Sequence, residues 1–452
     1  MITWKDIAAL SPIATQQLPD DTPITGADID SRRIRQNMLF IARQGEKTDG
    51  HQFIHQALKN GACAIIVEKG WYESAREDST ELPLIVVDDS DQALRDLAVL
   101  VRAKFDGPVL GITGSNGKTT TKEMLRAVLS REFNVLATPG NFNNLWGLPL
   151  TILQATSDHD FWILEHGMNR PGEISELCAI SQPNAGLVTT IAESHSHYFH
   201  SLDEIAEEKL SLFNTLPEDG ITFKNIDNKY IKQYTPHTKR VVTYGVENPA
   251  QYRAFFASLD AYSRVSCQMN ALGRVRLRAP GMFQMTNALA AAAVGNTFGV
   301  PGRAIKEELE NFRGVPGRVN IIEKDDCTII DDTYNANPNS MRESIDILAK
   351  MPAGNRRIAI LGDMLELNST AEKKHREIGA YLVDHKIDVI VGVGPLSRNI
   401  IDGASALNGA TTYHFSDYRE CINKIKDVIR AGDIILVKGS HGIHLEHVVE
   451  AL

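Results

Sequence analysis

Cysteine is scarce. The five in 452 residues, Cys63, Cys178, Cys267, Cys327 and Cys421, are scattered, odd in number and without any Cys-x-x-Cys spacing. That pattern excludes a disulfide framework or a structural zinc site and leaves reduced thiols in cores. Blocks of five or six basic residues are missing and the net charge is -10, so nucleic acid is not an expected partner. No stretch approaches the 18 apolar residues of a membrane span, and Leu289–Val294 is too short for one. The N-terminus, Met1-Ile-Thr-Trp-Lys-Asp6, carries an acidic residue and a tryptophan where a secretory leader needs a basic segment and then an apolar one. A cytoplasmic protein with no membrane contact is expected.

What remains is an ordinary globular composition, 43% apolar and 23% charged. At ~150 residues per domain, the length suggests about three domains.

The most informative stretch is Gly111-Ile-Thr-Gly-Ser-Asn-Gly-Lys-Thr-Thr120. An apolar run, Pro108–Ile112, precedes it, and the spacing of Met124, Leu125, Val128 and Leu129 predicts an amphipathic helix after it. A glycine-rich turn at a helix N-terminus offers backbone N–H groups and the positive end of the helix dipole to an anion. Lys118 would reach the outer phosphates of a nucleoside triphosphate and the Thr119 hydroxyl would ligate Mg2+. Ile112 stands where the strict motif has glycine, so the loop is a variant, and a structural Gly/Thr-rich turn is the alternative.

Before the loop, residues 1–88 read as a small α/β unit with strands at Met38–Ala42, Ala64–Val67 and Leu84–Val87. Two polar segments, Asp28–Arg33 and Gly45–His51, are either solvated turns or places where Ser31, Arg32 and the backbone at Gly45 bind a diphosphate or a base. After the loop, an Asn-rich segment at Thr138–Asn144 follows, and the strand at Phe161–Leu164 ends on Glu165-His166. A further strand at Ala185–Ala192 ends near Glu193–His200. Ligands bind beyond the carboxyl ends of strands in open α/β sheets, which makes these residues site candidates. From Arg318 a second strand–helix alternation predicts a parallel, Rossmann-like sheet, without a Gly-x-Gly-x-x-Gly fingerprint after its first strand.

Three features have a structural and a functional reading. Lys209 falls on the apolar stripe of a helix opened by Ser201-Leu-Asp-Glu204. It either snorkels at the edge of a core or sits in a cavity as a neutral amine able to form a carbamate with CO2. His195, His197 and His200 invite a zinc reading, but no helical His-Glu-x-x-His accompanies them, and one histidine beside Mg2+ is preferred. Asp331–Pro338, at a strand end, supplies either turn and cap residues, with Asn339 or Ser340 capping the next helix, or cleft residues.

Taken together, these segments resemble the Mur ligase family over essentially the whole chain. Thr113-Gly-Ser-Asn-Gly-Lys-Thr119 looks like the family's own version of the phosphate loop, and Asp30-Ser-Arg32 with Gly45-Glu46 and Asp49-Gly-His51 looks like its UDP-binding segment. Asp332-Thr-Tyr-Asn-Ala-Asn-Pro338 and Gly362-Asp-Met-Leu-Glu-Leu367 look like the branch that adds D-alanyl-D-alanine. The resemblance implies an α/β protein of three domains: UDP-substrate-binding at 1–88, a central ATP-binding parallel-sheet domain at 89–317, and a Rossmann-like domain at 318–452. It implies an ATP-dependent ligase that joins D-alanyl-D-alanine to UDP-N-acetylmuramoyl-tripeptide through an acyl phosphate and works as a monomer.

Roles follow by position. The loop from Thr113 through Gly114, Ser115, Asn116 and Gly117 to Thr120 would cradle ATP, with Lys118 on the β- and γ-phosphates. Two Mg2+ ions would be held by Thr119, Glu165, His195 and a carbamylated Lys209. Asn287 would contact adenine, Arg318 would reach ATP from across the domain boundary, and Asp332 would lie near ribose or phosphate. Asn143, Asn144, Tyr334, Asn335 and Lys438 would face substrate, and the domains would close on a hinge at Gly314–Arg318. Departures from the family pattern fall at Phe283-Gln284, at Leu210-Ser211 and at His441.

Overall fold

The structure, a computed structural model, describes all residues except 1, 12, 14–17, 46–47, 76–81, 193–197, 325, 353–354, 366 and 408. Its N-terminal part holds a parallel four-stranded sheet in the order Ala27–Asp28, Met38–Ile41, Ala62–Glu68, Leu84–Val87. The helix Ser90–Ala103 ties this sheet to the next. Its buried Leu94, Leu97 and Ala98 share one core with Ile41 and Ile66 on one side and with Leu148 and Trp162 on the other.

The central sheet has nine strands. Seven run parallel, in the order Val135–Ala137, Phe161–Glu165, Val109–Thr113, Ala185–Val188, Ile221–Asn225, Arg240–Gly245, Tyr252–Leu259. Val109–Thr113, Phe161–Glu165 and Ala185–Val188 are buried along their whole length, because helices cover both faces, and this is why they read as unbroken apolar runs. The expectation of a purely parallel sheet needs correction: Arg264–Met269 and Gly273–Pro280 extend it as antiparallel strands. These strands alternate buried and exposed residues, a half-covered pattern. Helix Phe283–Thr297, alanine-rich and buried along most of its length, packs in the same core as helix Lys118–Leu129.

The third sheet is ordered Asn320–Glu323, Cys327–Asp332, Asp433–Lys438, Arg357–Gly362, Val389–Val393, Thr411–Phe415, parallel except for its antiparallel first strand. The four inner strands form the parallel sheet expected from the strand–helix alternation after Arg318. The two edge strands carry too few buried residues to announce themselves. Among the described residues no helix is long and apolar enough to cross a membrane.

Candidate active site

The strands of the central and third sheets bring their carboxyl ends to one cavity of about 680 Å3. The phosphate loop forms its floor. Strand Val109–Thr113 ends in Gly114 at φ +148°, and a Cβ there would meet Thr189 Oγ1 at 2.0 Å, so only glycine lets the loop turn under Thr189. Gly117, at φ +79°, caps helix Lys118–Leu129. The Thr113 hydroxyl points inward to His166 O at 2.8 Å, a structural bond, whereas Ser115, Asn116, Gly117, Lys118 and Thr120 line the cavity.

Lys118 Nζ donates to Gly114 O at 2.6 Å. Burial pushes its amine below the ordinary value; nearby Glu165 opposes this and the Arg318 charge adds to it. A phosphate would add a second negative charge to the one that Glu165 brings to this lysine.

Glu165, 1% exposed, is the convergence point. It accepts from Thr119 Oγ1 at 3.1 and 3.0 Å and from Asn143 Nδ2 at 2.9 Å, while its own N–H donates to Thr138 Oγ1 at 2.9 Å. Asn144 lines the cavity too, but its Oδ1 is engaged by the N–H groups of Trp146 and Gly147 at 3.1 and 2.8 Å, opening helix Gly147–Ile152.

Lys209 does not snorkel: it is 1% exposed. Burial, reinforced by the Lys118 charge and opposed by Glu208, holds its amine well below the ordinary lysine value. Glu208 beside it accepts from the N–H groups of Gly172 and Ile174 at 2.7 and 2.8 Å. His195 and His197 lie outside the described residues, and His200 is exposed, its N–H donating to Glu204 Oε2 at 2.8 Å.

The opposite wall belongs to the C-terminal part. Asp332 and Lys438 are register partners on adjacent parallel strands, and their side chains pair at 2.6 Å. Lys438 Nζ also donates to Asn335 O at 2.8 Å. Arg318 stacks its guanidinium 3.8 Å from the Tyr334 ring, whose phenol burial pushes up. Asn287 bridges inward, accepting from Thr121 Oγ1 at 3.2 Å and donating to Gln284 Oε1 at 3.1 Å.

The helix cap differs from expectation. Asn337, in an extended conformation, caps helix Pro338–Lys350 through Ser340 N at 2.9 Å, with Pro338 in the first turn where its missing N–H costs nothing.

Thr113, Gly114, Thr119 and Lys209 lie beneath the cavity without lining it, and Ser31, Arg32 and Gly45 are not brought to it at all. Ser31 is buried, its carbonyl accepting from Asn60 Nδ2 at 2.8 Å, Arg32 is exposed and paired with Asp30 at 2.7 Å, and the Gly45 N–H donates to Thr48 O at 3.0 Å, all within the N-terminal unit. Two charged residues near the cavity that the sequence reading does not single out are Glu343 and Lys122. Glu343 lines it on helix Pro338–Lys350. Lys122, behind Glu165, is fully buried, and its spacing to Leu125 and Leu129 put it on an apolar stripe, the same signal that marked Lys209.

Three family models match the chain: "Mur ligase family, catalytic domain" at residues 23–101, "Mur ligase middle domain" at 112–295, and "Mur ligase, glutamate ligase domain" at 317–441. The chain is 34% identical over 455 residues to the UDP-N-acetylmuramoyl-tripeptide--D-alanyl-D-alanine ligase of Bacillus subtilis, covering 100% of this chain and 98% of the relative. The enzyme of the same name from Escherichia coli is 35% identical over 457 residues, covering 97% and 98%. Among solved structures, MurF from Acinetobacter baumannii superposes with a TM-score of 0.85 at 29% identity, covering 99% of this chain and 98% of that one. MurF ligase from Thermotoga maritima, in complex with ADP, gives 0.79 at 29%, covering 95% and 97%. With full-length relatives above 30% identity and matched models from residue 23 to residue 441, the chain belongs to the Mur ligase family.

Proposed function

We propose that the chain is a cytoplasmic ATP-dependent ligase that joins D-alanyl-D-alanine to UDP-N-acetylmuramoyl-tripeptide. The observation that carries this reading is the shared cavity: a phosphate loop with its lysine on one wall and Arg318, Asp332 and Lys438 on the other. A nucleotide bound there touches both halves, so binding couples to closure about Gly314–Arg318. The division at 1–88, 89–317 and 318–452 belongs to the same proposal, with Ser31, Arg32 and Gly45 on the UDP end of the substrate.

The reaction has two steps. The terminal carboxylate of the tripeptide attacks the ATP γ-phosphate, the bond to ADP breaks, and an acyl phosphate forms. The dipeptide amine then attacks the acyl carbonyl, and the tetrahedral intermediate expels phosphate. Lys118 and the N–H groups of residues 114–119 neutralise charge on the transferring phosphoryl group, where most catalysis of this chemistry resides. Arg318 steers the nucleotide, Asn287 faces its base, and Asn143, Tyr334 and Asn335 hold substrate.

The oxygen donors of Thr119 and Glu165, already within hydrogen-bond reach of each other, fit Mg2+. Thr119 would hold one ion, Glu165 would serve as the acidic ligand between two, and His195 with Lys209 as a carbamate would complete the set; bound Mg2+ supplies charge neutralisation between phosphates.

Phosphate release from ATP tests the reading, with UDP-muramoyl-tripeptide and D-alanyl-D-alanine added singly and together, and with D-alanine and L-lysine as decoys. Release only with both substrates is expected. Release that needs neither would mark a nucleotide switch instead.

A further inference from the structure

A buried ammonium persists only where oxygens replace its water. Lys122, 0% exposed on the helix that follows the phosphate loop, has four such oxygens. Its Nζ donates to Thr138 O at 2.5 Å and to Gly140 O at 3.4 Å, and it lies 3.1 Å from Glu123 Oε1 and 3.9 Å from Glu165 Oε2. They come from three segments: its own helix, the loop after strand Val135–Ala137, and the end of strand Phe161–Glu165.

The loop closes a ring through Thr138. The carbonyl of Thr138 is held by Lys122, its hydroxyl accepts from Glu165 N at 2.9 Å, and its N–H donates to Ile163 O at 3.0 Å. Five residues on, the same loop delivers Asn143 to Glu165 Oε1. Lys122 therefore holds the loop that carries Asn143 and lies in ion-pair range of the Glu165 carboxylate, from the side away from the cavity, which it does not line.

We propose that Lys122 is a positioning residue for the divalent-cation site, holding the Glu165 carboxylate and the Thr138–Asn143 loop in place from behind. The assignment rests on the reading of this cleft as a metal–nucleotide site. A purely structural lysine would contribute to folding without changing metal affinity in the folded protein. A positioning lysine sets where the carboxylate oxygens point, and its loss weakens the metal while leaving metal-free nucleotide contacts alone.

The test is Mn2+ binding to the full-length protein with ADP, followed by electron paramagnetic resonance, in wild type, K122M and K122Q. ADP affinity in EDTA is measured alongside. Outer-sphere partners of metal ligands are worth about 10–100-fold in affinity, so K122M is expected to bind Mn2+ at least about tenfold more weakly, with metal-free ADP affinity within about twofold of wild type. K122Q keeps donors for the carbonyls but no charge, and the same weakening is expected there; it decides the matter if K122M does not fold. Unchanged Mn2+ affinity in either folded variant overturns the assignment, as does a metal-free ADP affinity that falls in step with that of Mn2+. Wild-type protein that binds no ADP overturns both this assignment and the ligase reading.

Discussion

The side-chain amide of Asn337 donates to Asn116 Oδ1 at 3.0 Å, so the residue capping the first long helix of the C-terminal domain touches the phosphate loop directly. One side chain thus serves two purposes, and substitution separates them. In N337D the acceptor for Ser340 N survives and the helix keeps its cap, but the donor to Asn116 is replaced by a negative charge facing the nucleotide site. The melting temperature of N337D is expected to match wild type while KM for ATP rises about tenfold, equivalent to about 1.4 kcal/mol. N337A loses the cap as well and about 1 kcal/mol of stability. A destabilised N337D with unchanged KM would show the contact to be incidental.

The fully buried parallel strands and the phosphate loop were legible in sequence, because helices on both faces demand unbroken apolar runs and because anion binding demands glycines in a fixed place. The antiparallel strands at Arg264–Met269 and Gly273–Pro280 were not, since their alternation is shared with many surface segments. Within the site, Glu165 and Lys209 stood out through position, one at a strand end and one on an apolar helix stripe. Glu343 gave no such signal: a glutamate in a helix is ordinary until the opposite wall of a cavity is known. The cap falls two or three residues before the expected Asn339 or Ser340, because all three are good caps in isolation.

The ion pair of Asp332 and Lys438 makes a stability prediction. Lys438 is 1% exposed and its partner 7%, so D332N strands a charge that water cannot reach. Removing one partner of such a pair costs about 3–5 kcal/mol, and D332N is expected to lose that much in urea unfolding. The double variant D332N/K438M should recover part of the loss, since no charge is then left buried. A cycle in which the two changes simply add would mean that the two side chains are not coupled.

Lys209 bears on the carbamate. Its ammonium is disfavoured by burial, so the neutral amine that reacts with CO2 is present at a lower pH than for an exposed lysine. Folding likewise gains from a rise in pH toward the ordinary lysine value, because the unfolded chain binds the proton more readily. Wild-type protein equilibrated with 13C-labelled CO2 is expected to show a carbamate resonance that K209M lacks, and K209M is expected to lose about a hundredfold or more in kcat. The idea fails if the labelled spectra of the two proteins are the same and stripping CO2 leaves activity intact.

Glu343 makes the cleft wall sensitive to pH. Burial pushes its carboxyl up to about 7; Lys438 and the Asn339 amide oppose this, and the Asp332 and Asp346 carboxylates add to it. The folded protein thus holds the proton up to about pH 7, whereas an unfolded chain releases it near the usual glutamate value of about 4.3. Stability from this group is complete below about pH 4.3 and is lost as pH rises toward 7. E343Q, which cannot ionise, is expected to equal wild type at low pH and to exceed it by about 1–3 kcal/mol at pH 8. Urea unfolding of both proteins between pH 4.5 and 8 checks this: the two stability curves should diverge with rising pH, and parallel curves would mean that Glu343 titrates as it does in the unfolded chain.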